Sequence, residues 1–162
     1  MARTTPKTDW ADGELITAAH LNAIGENLAM LRNQAPAAAA GRSTEDILRN
    51  SSTFTDVDSE NFNLTIETSG RDVLAHFSSS AYRDDTNKGM HLHFDIDVDG
   101  VLQGGDVGEI IRFTIDRNYS HNVSFTYLIQ NLSAGSHIFK LQMKGGGRVR
   151  FRAGAQFGVQ EV

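Results

Sequence analysis

The sequence predicts a mainly β protein, an N-terminal α-helix followed by an antiparallel, jelly-roll-like β-sandwich. Apolar residues recur at helical spacing between Thr17 and Asn33, while alternation of period two dominates from Thr53 onward. Glycine-bearing turns separate the alternating runs, as an antiparallel sandwich requires. The 162 residues suffice for one core-forming domain with a small appendage.

The helix is read from Leu21, Ile24, Leu28 and Leu31, three or four positions apart and therefore on one stripe. The Thr17 hydroxyl is placed to accept from an unpaired first-turn amide. Alanines at 18, 19, 23 and 29 raise helix propensity, and Gly25 costs about 1 kcal/mol against alanine. So short a helix is marginal alone and needs a partner surface; its narrow stripe suits packing on copies of itself. Trp10 is read as an anchor into a neighbouring protein or a staple on the helix start. The polar residues before it, with Arg3 and Lys7, are read as an arm that orders on docking.

Gln34 to Gly41 reads as a linker, because Pro36 disfavours helical geometry at Ala35 and the small residues beyond offer little to pack. A second short helix is expected from Ser43, where S-T-E-D resembles a capping box with Asp46 in the acidic position. Ile47 and Leu48 would be its only apolar contacts, and Asn50-Ser51-Ser52 would end it. The expected organisation is residues 1–34 as arm and anchor helix, 35–52 as linker with short helix, and 53–162 as the head.

Within the head, Leu64 and Ile66 alternate with polar neighbours, as do Met90, Leu92, Phe94, Ile96 and Val98. Val123, Phe125, Tyr127 and Ile129 repeat the pattern, and His137, Phe139, Leu141 and Met143 share one side of another run. These are strands with one apolar and one wet face. Ser69-Gly70, Asp99-Gly100, Gly104-Gly105, Ala134-Gly135 and Gly145-Gly146-Gly147 supply the turns. Val98-Asp99-Gly100-Val101 is the clearest two-residue hairpin. About eight to ten strands are expected, with most of the phenylalanines in their core.

Composition excludes several classes. Fifteen basic against twenty acidic side chains give a net charge of −5, which disfavours a wholesale grip on nucleic acid. The lack of cysteine removes disulfides, thiolate nucleophiles and zinc fingers. No apolar run reaches the ~20 residues that span a bilayer, and the first residues lack a secretory apolar stretch. Synthesis in the cytosol is expected.

Two segments carry a resemblance. W-A-D-G-E-L-I-T-A-A-H-L-N-A-I (Trp10 to Ile24) resembles the N-terminal segment of bacteriophage tail-fibre and minor virion proteins, which leads into a helix. N-L-S-A-G-S-H-I-F-K-L-Q (Asn131 to Gln142) and A-Q-F-G-V-Q-E-V (Ala155 to Val162) are similar to the last strands of jelly-roll heads in phage appendages. Those heads resemble the trimeric jelly rolls of the tumour-necrosis-factor and complement-head type. The resemblance implies a homotrimeric virion structural protein, attached through its N-terminus and assembled in the host cytoplasm. Other capsid or tail proteins are its implied partners.

Chemistry-bearing constellations are few. His91, His93, Asp95 and Asp97 alternate along one strand face and are candidate metal ligands, although a solvated or subunit-facing row is the preferred reading. Arg148, Arg150 and Arg152 form a second row that needs acids or anions opposite. The row is read as a partner contact, to acidic positions such as Asp95 and Asp97 of another subunit or to an anionic host glycan. Tyr82 and Tyr119 are candidates for stacking on sugars, and His76 is read as a surface residue. There is no nucleophile elbow, P-loop or convincing dinucleotide fingerprint. The expectation is therefore a non-enzymatic protein without cofactor or membrane insertion, either a capsid decoration or a short tail appendage meeting a host receptor. A carbohydrate-binding module outside any virion is the alternative.

Overall fold

The computed structural model describes residues 37–83, 90–105, 108–116 and 119–162, together with Leu21, Asn22 and Ile24. The chain divides into two units, residues 1–35 and 36–162. The predicted arm and N-terminal helix, with Trp10, Leu28 and Leu31, fall outside the described residues. Leu21 and Ile24, which are described, are 59% and 44% exposed.

Residues 36–162 hold two antiparallel sheets. The first is built on β5 (Val73–Arg83), whose register with β9 (Ser120–Ile129) runs from Val73↔Ile129 to Tyr82↔Ser120. On its other edge β5 pairs first with β12 (Gln156–Glu161) and then with β11 (Val149–Phe151). Beyond these lie β1 (Ala38–Arg42) against β12 and β2 (Ile47–Arg49) against β11. The second sheet is built on β10 (Ala134–Gly145), flanked by β3 (Thr55–Asp56) and β4 (Asn63–Ser69) on one edge. Its other edge takes β6 (Met90–Val98), which carries β7 (Val101–Leu102) and β8 (Ile111–Ile115) outside it. In chain order the strands cross repeatedly between the sheets, so each sheet is made of segments distant in sequence. That is the jelly-roll-like sandwich the alternation predicts.

Alternation drives the packing. β4 reads exposed-buried throughout, with Leu64 and Ile66 inward, and β9 buries Val123, Phe125 and Ile129. Phe77 is the hub of the core, its ring 5.5 Å from Phe94, 5.9 Å from Phe125 and 6.0 Å from Phe62 and Phe151. Phe94 adds Phe113 at 5.9 Å. Most pairs are tilted or edge-on, the arrangement that ring quadrupoles favour. Seven of the nine phenylalanines are buried; Phe54 and Phe113 are half-buried.

Several expectations are corrected. Residues 35–52 are not a linker with a short helix: β1 and β2 lie within them, so the sandwich begins at Ala38 rather than at residue 53. The small residues of β1 suit a crowded edge; a Cβ on Gly41 would fall 1.6 Å from the Asn61 carbonyl oxygen. The capping signal at Ser43 is diverted into tertiary bonds. The Ser43 amide donates to the Ala155 carbonyl at 2.9 Å, and Asp46 Oδ1 accepts from the Ala153 amide at 2.8 Å. Ladder pairing with a distant strand outweighs a local preference worth about 1 kcal/mol. Twelve strands are present among the described residues, more than expected, because the edges are made of short pieces. Ala134-Gly135 opens β10 instead of forming a turn; the positive φ of the preceding turn belongs to Asn131, at 62°. The hairpin at 98–101 forms as expected, with Val98 opposite Val101 and φ of 53° at Asp99 and 89° at Gly100.

Candidate functional site

The two outer faces of the sandwich differ in chemistry. On the first sheet the outward row of β5 is Leu74, His76 and Ser78, and that of β9 is Asn122, Ser124, Thr126 and Leu128. Ala38, Ala40 and Arg42 of β1, with Gln156 and Gln160 of β12, continue this face. Among them only His76 and Arg42, the latter at the β1 edge opposite Gln156, are ionisable, although the chain carries thirty-five charged residues. The registers Gln156↔Ser78↔Ser124 and Gly158↔His76↔Thr126 set small polar groups side by side. His76 is exposed, as expected, and its ring lies against Gly158. At the β2–β11 end the face changes to Leu48, Tyr82 and the arginine row.

Those arginines are largely engaged within the chain. Arg150 approaches Asp46 at 3.9 Å and lies 5.8 Å from the Tyr82 ring, while Arg152 covers that ring at 4.6 Å. Arg148 is exposed at the strand approach. Among the described residues Asp46, which sequence reasoning assigned to a helix cap, is an acidic partner of Arg150. Tyr82 lies beneath guanidinium groups, whereas Tyr119 is 69% exposed.

The outer face of the second sheet is ionic: His91, His93, Asp97, Glu67, Arg112, Lys140 and Lys144 project from it. The His91–Asp97 row is not the uniform wet row that alternation implied. Asp95 is wholly buried beneath the segment after β7. Its Oδ1 accepts from the amides of Ile96 at 2.7 Å and of Gln103 and Gly104 at 3.0 Å. Burial pushes the Asp95 carboxyl up, outweighing those amides and the Lys144 ammonium, which pull it down. His93 bonds Glu109, whose carboxyl is held below its ordinary value chiefly by that bond. His91 meets the Thr114 hydroxyl at 3.2 Å, and Asp97 Oδ1 accepts from the Gly100 amide at 2.8 Å. Among the described residues no three His, Asp or Glu side chains are close enough to hold a metal ion.

His137 and Asp99 form a clamp that sequence reasoning missed. His137 is buried on the inner row of β10; its Nδ1 lies 2.6 Å from Asp99 Oδ2 and its Nε2 2.9 Å from the Ser133 carbonyl. Asp99 Oδ1 also accepts from the Ile138 amide at 2.8 Å. A carbonyl and a carboxylate only accept, so both ring nitrogens donate and the ring is an imidazolium. The Asp99 bond, then the Ser133 carbonyl, hold the imidazole above its ordinary value. The Ile138 amide and His137 hold the Asp99 carboxyl down. A raised histidine stabilises below its unfolded pKa and loses that contribution as pH rises through the folded value. A depressed aspartate stabilises above its unfolded pKa and loses it as pH falls. The clamp is thus strongest between about pH 4 and 6.5, the unfolded values of the two groups. Urea midpoints of wild type and His137→Gln are expected to differ most near pH 5.5, by about 1 kcal/mol after allowing for the exposure of Asp99. The gap should narrow as pH rises through the raised folded value of His137; a gap constant in pH would refute the imidazolium.

Glu161 is a second staple, its Oε1 accepting from the Ser69 amide at 2.6 Å and hydroxyl at 2.7 Å. Burial pushes this carboxyl up, but the Ser69 and Arg71 donors outweigh it and the net shift is downward.

No family model matches the chain, and no curated protein matches it. Solved structures do. The VP2 subviral particle of infectious bursal disease virus superposes with a TM-score of 0.50 at 10% identity, over 79% of this chain and 33% of that one. The likeness is one of fold. Eiger TNF from S. frugiperda (TM-score 0.43, 11% identity, 78% of this chain and 91% of that one) is also similar. So is murine APRIL (0.42, 11%, 78% and 99%). The chain spans about a third of the length of VP2. The VP2 match agrees with the β-sandwich described above.

Proposed function

We propose that this chain is a structural virion protein of a tailed bacteriophage, a trimeric appendage attached through its N-terminal segment and displaying its β-sandwich outward. The observation that carries the reading is the contrast between the two outer faces. Copies of a chain with net charge −5 repel one another, and they approach most cheaply through a surface of low charge. The first sheet offers that surface, with Leu74 and Leu128 among hydroxyl and amide side chains and Arg42 at its β1 edge, while the ionic second sheet suits water. A ring of three copies can bring each weakly charged face against its neighbour by a closed heterologous contact. Exposed Leu21 and Ile24 support a further association near the N-terminus, where the Trp10–Ile24 resemblance supplies the attachment to the particle.

In this role the chain performs no catalysis and uses no cofactor. It stabilises the particle as a capsid decoration or head fibre, or meets a host receptor as a tail fibre. Sedimentation of the full chain at micromolar concentration is expected to give three times the 17.7 kDa chain mass. Removing residues 1–34 should leave a folded sandwich that no longer joins phage particles. A monomer in the first experiment, or continued incorporation in the second, would overturn the corresponding half of the reading.

A further inference from the structure

β6 sets His91 and His93 two positions apart, so both side chains rise from the outer face of the second sheet. Their ring centres lie 6.4 Å apart, with the planes at 73°. The rest of that alternating row is committed elsewhere. Asp95 is wholly buried, and Asp97 is turned to its own hairpin, accepting from the Gly100 amide at 2.8 Å. Each imidazole is tethered at Nδ1 by a side chain of another segment. His93 Nδ1 bonds the Glu109 carboxylate, which only accepts, so the proton of a neutral ring sits on Nδ1. His91 Nδ1 lies 3.2 Å from the Thr114 hydroxyl, directly opposite on β8, and that oxygen can accept a proton in the same way. A lone pair is then left on each Nε2, and neither Nε2 has a hydrogen bond among the described residues. His91 is exposed; His93 Nε2 is not among the buried polar atoms that lack a partner, so solvent reaches it.

We infer that His91 and His93 bind one divalent transition-metal ion through their Nε2 atoms, with water in its remaining positions. Imidazole suits copper, nickel and zinc, and Cu²⁺ stands highest in the general affinity order. A ligating histidine commonly donates its other N–H to a carboxylate or a similar acceptor, which fixes tautomer and ring, and Glu109 and Thr114 occupy those places. Metal–nitrogen bonds of about 2.0–2.1 Å put two such ring centres about 5 Å apart. Rotation of the exposed His91 ring in its broad χ2 well closes the difference. Lys144 and Arg112 flank His93 across its two ladders and weaken the site. Lys144 is turned aside, its Nζ 3.3 Å from the Gly108 carbonyl, and the Glu109 carboxylate offsets both cations. With two protein ligands the ion is exchangeable, and it does not need the three acidic or imidazole side chains that the described residues nowhere bring together. The inference stands apart from the trimer, because it concerns the ionic sheet and not the assembly face.

The test is an NMR titration of the full chain with Cu²⁺, whose unpaired electron broadens nearby amide signals, in a buffer that does not bind metal. One equivalent should broaden residues 90–94 and 112–115 before those around the other four histidines. Zn²⁺ should shift the same amides at higher concentration, and Ca²⁺ and Mg²⁺ should shift none. His91→Asn and His93→Asn change side chains on the wet face, and each should weaken Cu²⁺ binding by more than about tenfold with an unchanged circular dichroism spectrum. Glu109 is a positioning residue: Glu109→Ala should cost about tenfold in affinity, and Glu109→Gln, which still accepts at Nδ1, should recover most of it. Broadening centred on another histidine, affinity unchanged in both asparagine variants, or an equal response to Ca²⁺ and Zn²⁺ would overturn the site.

Discussion

Replacing Phe77 by alanine is expected to cost about 3–5 kcal/mol, enough to remove much of a stability of about 5–15 kcal/mol. The ring is 1% exposed and meets four other phenylalanine rings, contributed by three strands and by the segment before β4. Its removal therefore opens a cavity that no single strand can close, and the neighbouring backbones are tied into ladders on both edges of β5. Urea unfolding followed by far-ultraviolet circular dichroism measures the loss. Phe113→Ala, at a half-buried ring that meets Phe94, is the internal comparison and should cost less. Equal costs would show that Phe77 is not the hub of the core.

Placing a glutamate at Ser124 is expected to dissociate the trimer while leaving the sandwich folded. Ser124 is exposed on β9, opposite Ser78 and away from the one arginine, Arg42, at the β1 edge of this face. Fold stability should change by less than about 0.5 kcal/mol, as for a surface substitution. In the assembly the same substitution buries one unpaired carboxylate per copy, a penalty of several kcal/mol for each charge. The sedimentation mass should fall from three chains to one at micromolar concentration, with an unchanged circular dichroism spectrum. A parallel Thr65→Glu change on β4, on the ionic sheet, should leave the trimer intact. If both variants remain trimeric, the weakly charged face is not the interface.

The strands legible in the sequence are those whose alternation is complete, as in β4, β6, β9 and β10. There a half-buried sheet forces apolar side chains to every second position, and the core reads directly from Leu92, Phe94, Phe125, Phe139 and Leu141. The Asp99-Gly100 hairpin was equally legible, because its positive φ angles restrict the residues that can occupy it. β1 and β2 were not. β1 is too rich in alanine and β2 too short to show a period, and they become strands only because β12 and β11 offer unpaired backbone groups beside them. The same limit hid the pairing of Asp46 with Arg150, which lie more than a hundred positions apart in the chain.

Local pattern alone specifies an antiparallel sandwich and the identity of most of its core. Burial and hydrogen-bonded turns act on neighbouring residues, so their demands are written into contiguous sequence. Tertiary structure decides which polar residues end inside and which face carries few charges. It lowers a loop onto Asp95 and turns His137 into an imidazolium beside Asp99. It also gathers Ser78, Ser124 and Gln156 into one row from three separate strands. Such outcomes depend on register between distant segments, a property no local pattern encodes.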